Sequence, residues 1–414
     1  MKFLRTICRF LVGFLFIFSG FVKAIDPMGS TFKFKDYFAA FGMDALSELA
    51  FPLAVVLSTL EFAIGILILF NVHKKTTSSL ALLFMSFFTP LTLILALTNP
   101  VSDCGCFGDA LILSNWETFG KNIIILALTL VVFFTRKIEK DKSSKPIHNL
   151  MLAFSLFIAL SCSYYSYNHL PLIDFRPYHI GANIQDGMII PEGVPTDEYK
   201  SIFKYKKDGV IKEFDETNYP WQDSTWVYVD VEQIKIKDGY KAPIHDFSIS
   251  NETEGDITDQ VLTDPSYTFL FISRHLSEID IKGIEQINEL ASWANNHDYN
   301  FICLTASSED KIKTFKEDHP LNFDFYATDE IQLKTMIRSN PGLMLLQNGT
   351  ILNKWHWQDI PKTTEIKANL AAYSITQHQT LINKLVILSI TTTLLLLIGC
   401  FLMLKFRFGA VKNR

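Results

Sequence analysis

The sequence predicts a membrane α-helical bundle, a four-helix core plus two further helices, with an α/β domain and a small β-rich segment on its outer side. Three observations predict it. Six stretches of about 20 mostly apolar residues, each long enough to cross a bilayer core, stand in two blocks at the ends of the chain. Lysines and arginines gather in alternate loops between them. The intervening residues 170–380 have the composition of a soluble domain, with strand and helix periods in alternation.

The composition agrees. Of 414 residues 49% are hydrophobic and 35 are phenylalanine, and mean hydropathy is positive at +0.19, which sets the chain apart from ordinary soluble domains. The net charge of −5 decides little, because charge in such a chain is divided by topology. No basic patch lies outside the segments that flank the apolar stretches, so a nucleic-acid partner is not expected.

The first five stretches are Ile7–Ile25, Leu49–Phe70, Thr77–Leu97, Thr118–Thr135 and His148–Tyr167; the sixth is Lys384–Phe406. The first lacks a small-residue cleavage site and reads as a retained helix rather than a signal peptide. One set of loops holds Arg5 and Arg9, then Lys74 and Lys75, then Arg136 through Lys145, and finally Lys405 through Arg414. The alternate loops are poor in basic residues, and residues 101–117 have none. This distribution predicts a multi-pass protein with both termini inside. In a bacterium that means the inner membrane, with the 101–117 loop and the soluble domain in the periplasm.

Five blocks follow. Residues 1–140 form the four-helix membrane domain, with an outward loop at about 26–48, and residues 141–167 form the fifth helix. Residues 168–240 are a β-rich segment, in which Lys207-Asp208-Gly209 marks a hairpin and Trp226-Val227-Tyr228-Val229 a further strand. Residues 241–362 alternate strands at 268–273 and 301–305 with helices at 279–295, 309–317 and 329–337. Strands around Gln347-Asn348-Gly349-Thr350 then close a hairpin. That order predicts an α/β sandwich on a mixed sheet. Residues 363–414 read as one C-terminal helix that includes the sixth span.

Two resemblances attach to these blocks. Gly13, Phe18-Ser19-Gly20, Lys23, Asp26-Pro27, Glu61, Gly65 and above all Cys104-Gly105-Cys106-Phe107-Gly108-Asp109 make residues 1–135 resemble the DoxX/MauE group of redox-associated membrane proteins. Ala242-Pro243, Asp246-Phe247 and Ser339-Asn340-Pro341 make residues 241–360 similar to thioredoxin-like domains of the TlpA/peroxiredoxin type. That resemblance implies a first strand near 242–247 and a cis-proline loop at Asn340-Pro341, where related folds hold extended peptide. It departs at the key point: where the family has Cys-x-x-Cys, this chain reads Arg274-His275-Leu276-Ser277-Glu278. The whole arrangement looks like a Bacteroidetes-type DoxX family protein.

Candidate site residues come next. Cys104 and Cys106 lie on the oxidising side, where two neighbouring sulfurs serve either as a redox pair or as a structural clip. A ring closed across one glycine is strained, and strained disulfides are the more oxidising ones. Asp103 and Asp109 are expected to raise the thiol pKa values. Cys162 is a candidate resolving thiol, set against a small packing residue. Glu61, an intramembrane carboxyl, reads as a proton relay or a polar contact, and Lys23 reaches it only by bending inward. Asn340 and Pro341, with Lys23, are the binding candidates. No metal is expected, since two cysteines without further ligands do not complete a tetrahedral site. No cofactor is certain; a quinone in the outer leaflet is the candidate. The expected partners are the lipid bilayer and a periplasmic or envelope protein.

Two functions rest on these residues, and a third, a quinone-linked subunit of a sulfur-oxidising complex, is implied only by the DoxX resemblance of the bundle. In one, Cys104 and Cys106 exchange disulfide or electrons with a periplasmic partner that the non-catalytic thioredoxin-like domain positions. In the other, the protein is a non-enzymatic membrane scaffold and Cys104–Cys106 is a static brace.

Overall fold

A computed structural model describes residues 2–137, 145–195, 198–237, 239–279, 284–366 and 369–380, with four isolated positions beyond them at 382, 383, 387 and 391. The expected sixth span, the basic cluster that follows it and Cys400 lie outside the described residues.

Six helices build the first half: α1 (Lys2–Ile25), α2 (Pro27–Ala40), α3 (Ala50–Leu69), α4 (Lys74–Thr98), α5 (Asn115–Phe134) and α6 (Lys145–Asn168). All except α2 are long and apolar enough to span a membrane, and each matches an expected stretch to within a few residues. The protein is a multi-pass membrane protein.

Bilayer interiors supply no hydrophobic force between helices, so close packing must hold them. At the α1–α3 crossing Gly20 abuts the Phe62 backbone, and a Cβ on Gly65 would stand 2.5 Å from the Ile17 nitrogen. Only glycine permits that approach.

The expected loop at 26–48 is corrected: most of it is α2. Pro27 sits in its first turn, where no amide hydrogen is needed, and the Asp26 carboxylate accepts from the Gly29 amide at 2.9 Å. The sequence pattern hides this helix because its weakly amphipathic residues do not repeat clearly at the helical period.

The second half folds on a seven-stranded mixed sheet, order β10-β9-β6-β7-β8-β4-β5. Its strands are β4 (Ser250–Asn251), β5 (Gly255–Asp256), β6 (Tyr267–Ser273), β7 (Asn300–Thr305), β8 (Asp324–Ala327), β9 (Gly342–Gln347) and β10 (Thr350–His356). Strands β6, β7 and β8 run parallel, and the β9–β10 hairpin adds antiparallel to β6. Phe269 and Phe271 of β6 enter one core while Leu270 and Ile272 enter the other. Burial on both faces explains the unbroken apolar run there. Helices α7 (Ile184–Met188) and α8 (Thr258–Leu262) are single turns, and α9 (Ile284–Asn295), α10 (Glu309–Asp318) and α11 (Glu330–Met336) cover the faces. The strand expected at 242–247 is absent; that stretch is irregular, and pairing begins at Ser250.

Packing divides the chain differently from the sequence blocks. Within residues 168–240, the first part belongs to the α/β unit: Tyr178 and Ile184 are fully buried in its core, and Gly181 donates to the Ile351 carbonyl. Only β1 (Glu198–Lys207), β2 (Val210–Phe214) and β3 (Val227–Lys237) form a separate sheet, order β2-β1-β3, with the expected hairpin at Asp208-Gly209. At the other end Ile366, Leu370 and Tyr373 pack on the α/β core, and Trp355 Nε1 donates to Gln377 Oε1 at 2.8 Å. The helix over 370–380 is therefore anchored to that domain.

Candidate functional site

The loop from residue 99 to residue 114 joins α4 to α5. Asn115 Nδ2 pins its base, donating to Asn99 Oδ1 and to the Val101 carbonyl, each at 2.8 Å. Ser114 and Glu117 cap α5 reciprocally. Within the loop the Asp103 carboxylate accepts from the Gly105 amide at 2.8 Å, and Gly105 takes a φ of +66° that favours glycine. This turn brings the two free thiols together, with Cys104 Sγ and Cys106 Sγ 3.1 Å apart.

The membrane helices hold the turn from several sides. Ser19 of α1 donates to the Cys106 carbonyl at 2.6 Å, and Tyr37 of α2 donates to the Cys104 carbonyl at 2.7 Å. Lys33 pairs with Asp103 at 2.6 Å. Phe107 is buried against Phe18, with Lys121 Nζ 4.2 Å from its ring centroid.

The two sulfurs are electrostatically unlike. Cys106 is held below the ordinary thiol value, to about 6. The leading cause is the hydrogen bond shared with Cys104; burial opposes it, and the Lys121 and Lys23 ammonium groups assist. Cys104 is pushed up by that same shared bond and by burial. Asp103 and Asp109, expected to raise both thiol pKa values, are not among the leading causes at either sulfur. Each carboxylate faces a cation of its own, Lys33 and Arg338 respectively.

Lys23 pairs directly with Glu61, both side chains being buried. The expected difficulty of reach is absent because α1 and α3 are in glycine-mediated contact. Cys104, Cys106, Lys23, Glu61 and Lys121 all line one cavity of about 240 Å³, whose deeper wall is formed by Phe16, Phe84, Met85, Phe88 and Ile125. Cys162 does not line it. That residue packs against Ala24 and Phe62, among Ile17 and Phe21, which is a packing position rather than a place beside the pair.

The α/β domain meets this site through one end of its sheet. Arg338, immediately after α11, donates from Nε to Asp26 at 2.9 Å and from Nη2 to Asp109 at 2.5 Å. One buried guanidinium thus joins the N-cap of α2 to the cysteine loop. Beside it Phe32 of α2 faces three cations, Arg274, Lys334 and Arg338, at 5.2, 5.5 and 5.5 Å from its ring centroid. The Asn340–Pro341 peptide is cis, and Asn340 Oδ1 accepts from the Arg274 amide at 2.9 Å. Asn340 is thus engaged with its own chain, and α2 lies against this end of the domain. His275 stands 3.5 Å from Glu330.

Sequence reasoning missed Arg338, Lys121, Lys33 and Tyr37. The available signals were a lysine inside the outer end of an apolar stretch and an arginine adjoining Ser339-Asn340-Pro341. Among the described residues no group of three or more His, Cys, Asp or Glu side chains is placed to hold a metal.

Comparison with known proteins places this geometry in context. Residues 1–135 match the family model of the methylamine utilisation protein MauE. Residues 199–238, the three-stranded sheet, match a domain of unknown function, DUF8463. Protein TlpB of Flavobacterium psychrophilum is 31% identical over 143 residues, 33% of this chain and 38% of that protein. The chain therefore spans well under half of that relative's length. No solved structure matches.

Proposed function

We propose that the protein is a thiol-redox component of the bacterial inner membrane, with both termini inside and the α/β domain in the periplasm. Cys104 and Cys106 cycle between dithiol and disulfide. The observation that carries this reading is the 3.1 Å approach of two half-buried sulfurs in a loop held from three helices. One sulfur is favoured as thiolate by its neighbour and by two ammonium groups. A static brace needs proximity but not this asymmetry, whereas exchange needs one attacking thiolate and one protonated partner.

In the forward step a partner's dithiol loses two electrons and two protons. The Cys104–Cys106 disulfide breaks and takes up both, and a disulfide forms in the partner. The same reading makes the α/β domain thioredoxin-like. Its support is the strand order, with the parallel β6-β7-β8 core and the antiparallel β9–β10 hairpin beside β6. Lacking cysteines at 274–278, the domain acts by holding the cysteine loop through Arg338 and by setting where a partner meets it. MauE similarity over the bundle supports the membrane assignment.

The test is thiol trapping with a maleimide reagent in living cells. Cys104 and Cys106 should pass between reduced and oxidised forms as growth conditions change, and Cys104→Ser should abolish that passage. A pair that stays oxidised throughout, with a silent Cys104→Ser variant, makes the protein a scaffold with a structural clip.

A further inference from the structure

The cysteine pair lines a cavity between the apolar helices. Cys104, Gly105 and Cys106 all line the cavity of about 240 Å³, which runs down between the helices to Phe16 and Phe84. The loop is held around the pair by Ser19 on α1 and by Lys33 and Tyr37 on α2, which line the cavity too, and by Arg338 on the α/β domain. Phe87, which is 63% exposed on the outer surface of α4, also lines the cavity, as do the exposed Phe41 and Met43. The cavity therefore has a rim among side chains that face lipid. Its walls are largely apolar and rich in phenylalanine, and its charged side chains are Lys23, Lys33, Glu61 and Lys121.

A ligand suited to this space is apolar and flat, enters from the bilayer, and carries polar atoms at the end that meets the sulfurs. To reoxidise a dithiol it must accept two electrons and two protons. We infer that the cavity is a binding site for a membrane-soluble quinone, whose ring lies against Phe84 and Phe88 with one carbonyl oxygen toward the cysteine pair and Lys121. This inference rests on the reading of Cys104 and Cys106 as a redox pair.

The step balances as follows. The Cys106 thiolate attacks the ring to form a sulfur–carbon adduct, and Cys104 then attacks Cys106. The sulfur–sulfur bond forms, the sulfur–carbon bond breaks, and its electron pair stays with the ring. The two thiol protons end on the two oxygens, giving quinol and disulfide. The Lys23–Glu61 pair, on the same wall, positions charge for that transfer.

The experiment uses the full chain in lipid nanodiscs of phosphatidylethanolamine and phosphatidylglycerol, reduced and anaerobic. Menadione and decylubiquinone are the probes in parallel arms, and glutathione disulfide is a water-soluble control oxidant. The expected result is quinol formation, read by absorbance, with loss of both maleimide-reactive thiols for each quinol formed. Filling the cavity from either of two helices, by Leu91→Trp on α4 or Leu57→Trp on α3, should slow quinol formation on the order of tenfold or more. Both variants should still react fully with maleimide after unfolding. If glutathione disulfide oxidises the wild-type pair but neither quinone does, the quinone site is overturned and the redox pair stands. If neither oxidant changes the thiols of the folded protein, both readings fall. Equal quinol formation by wild type and both tryptophan variants also overturns the site.

Discussion

Arg338 Nη2 lies 2.5 Å from Asp109 Oδ2, joining the last turn before the Asn340–Pro341 peptide to the loop that holds Cys104 and Cys106. The two residues are 229 positions apart in the chain. Through this contact and its partner at Asp26, the α/β domain reaches into the cysteine site without supplying a sulfur.

Arg338→Met should therefore loosen the domain from the bundle. Removing one partner of a buried ion pair typically costs about 3 kcal/mol, because the other charges stay behind. Hydrogen exchange should rise in residues 26–40 and 99–114 together, while the β6–β9 core keeps its protection. A rise confined to the α/β domain would mean that the guanidinium stabilises only its own side.

Alkylation of Cys106 should be the first to occur and should follow its low pKa. The thiolate reacts, so the rate should hold nearly level from pH 8 to 7 and fall as pH drops through about 6. Cys104, pushed upward, should label slowly across that range. Lys121→Met removes one of the charges that favour the Cys106 thiolate and should move the fall to higher pH. Peptide mapping by mass spectrometry separates the two cysteines.

Lys23 and Glu61 should show strong energetic coupling. Either Lys23→Met or Glu61→Gln strands a buried partner inside the bundle, at a cost on the order of a few kcal/mol. The double variant should recover much of the folded yield in detergent while remaining slow in thiol oxidation. Additive losses would show that the two side chains do not act as a pair.

Gly65→Leu should prevent assembly of the bundle altogether. Its side chain would have to enter the Ile17 backbone, where even a Cβ would stand 2.5 Å from the nitrogen. Overpacking of a tight interface costs about 1–3 kcal/mol where neighbours can yield, and backbone cannot. Loss of the monodisperse peak in detergent, with a normal peak for Gly120→Ala in open space, checks this.

Much of this protein was legible in one dimension. Five spans appeared as runs of apolar residues because a bilayer requires about 20 of them in succession, which is a local property. Strands β6, β7, β9 and β10 were readable from periodicity and from Asn348-Gly349, whose backbone preference is also local, while the four-residue β8 was not. The candidate pair Cys104 and Cys106 was visible because its residues adjoin. The helix α2 was not, since its packing rather than its pattern makes it helical. Nor were the roles of Tyr37, Lys121 and Arg338, or the inclusion of Tyr178 and Tyr373 in the α/β unit. Each depends on residues far apart in the chain meeting in space, and a charge such as Arg338 has no meaning at the cysteine loop until two domains dock. Sequence alone determined which segments enter the membrane and which sulfurs stand together. Tertiary structure decided what surrounds those sulfurs, because electrostatics and access follow distance in space and not position along the chain.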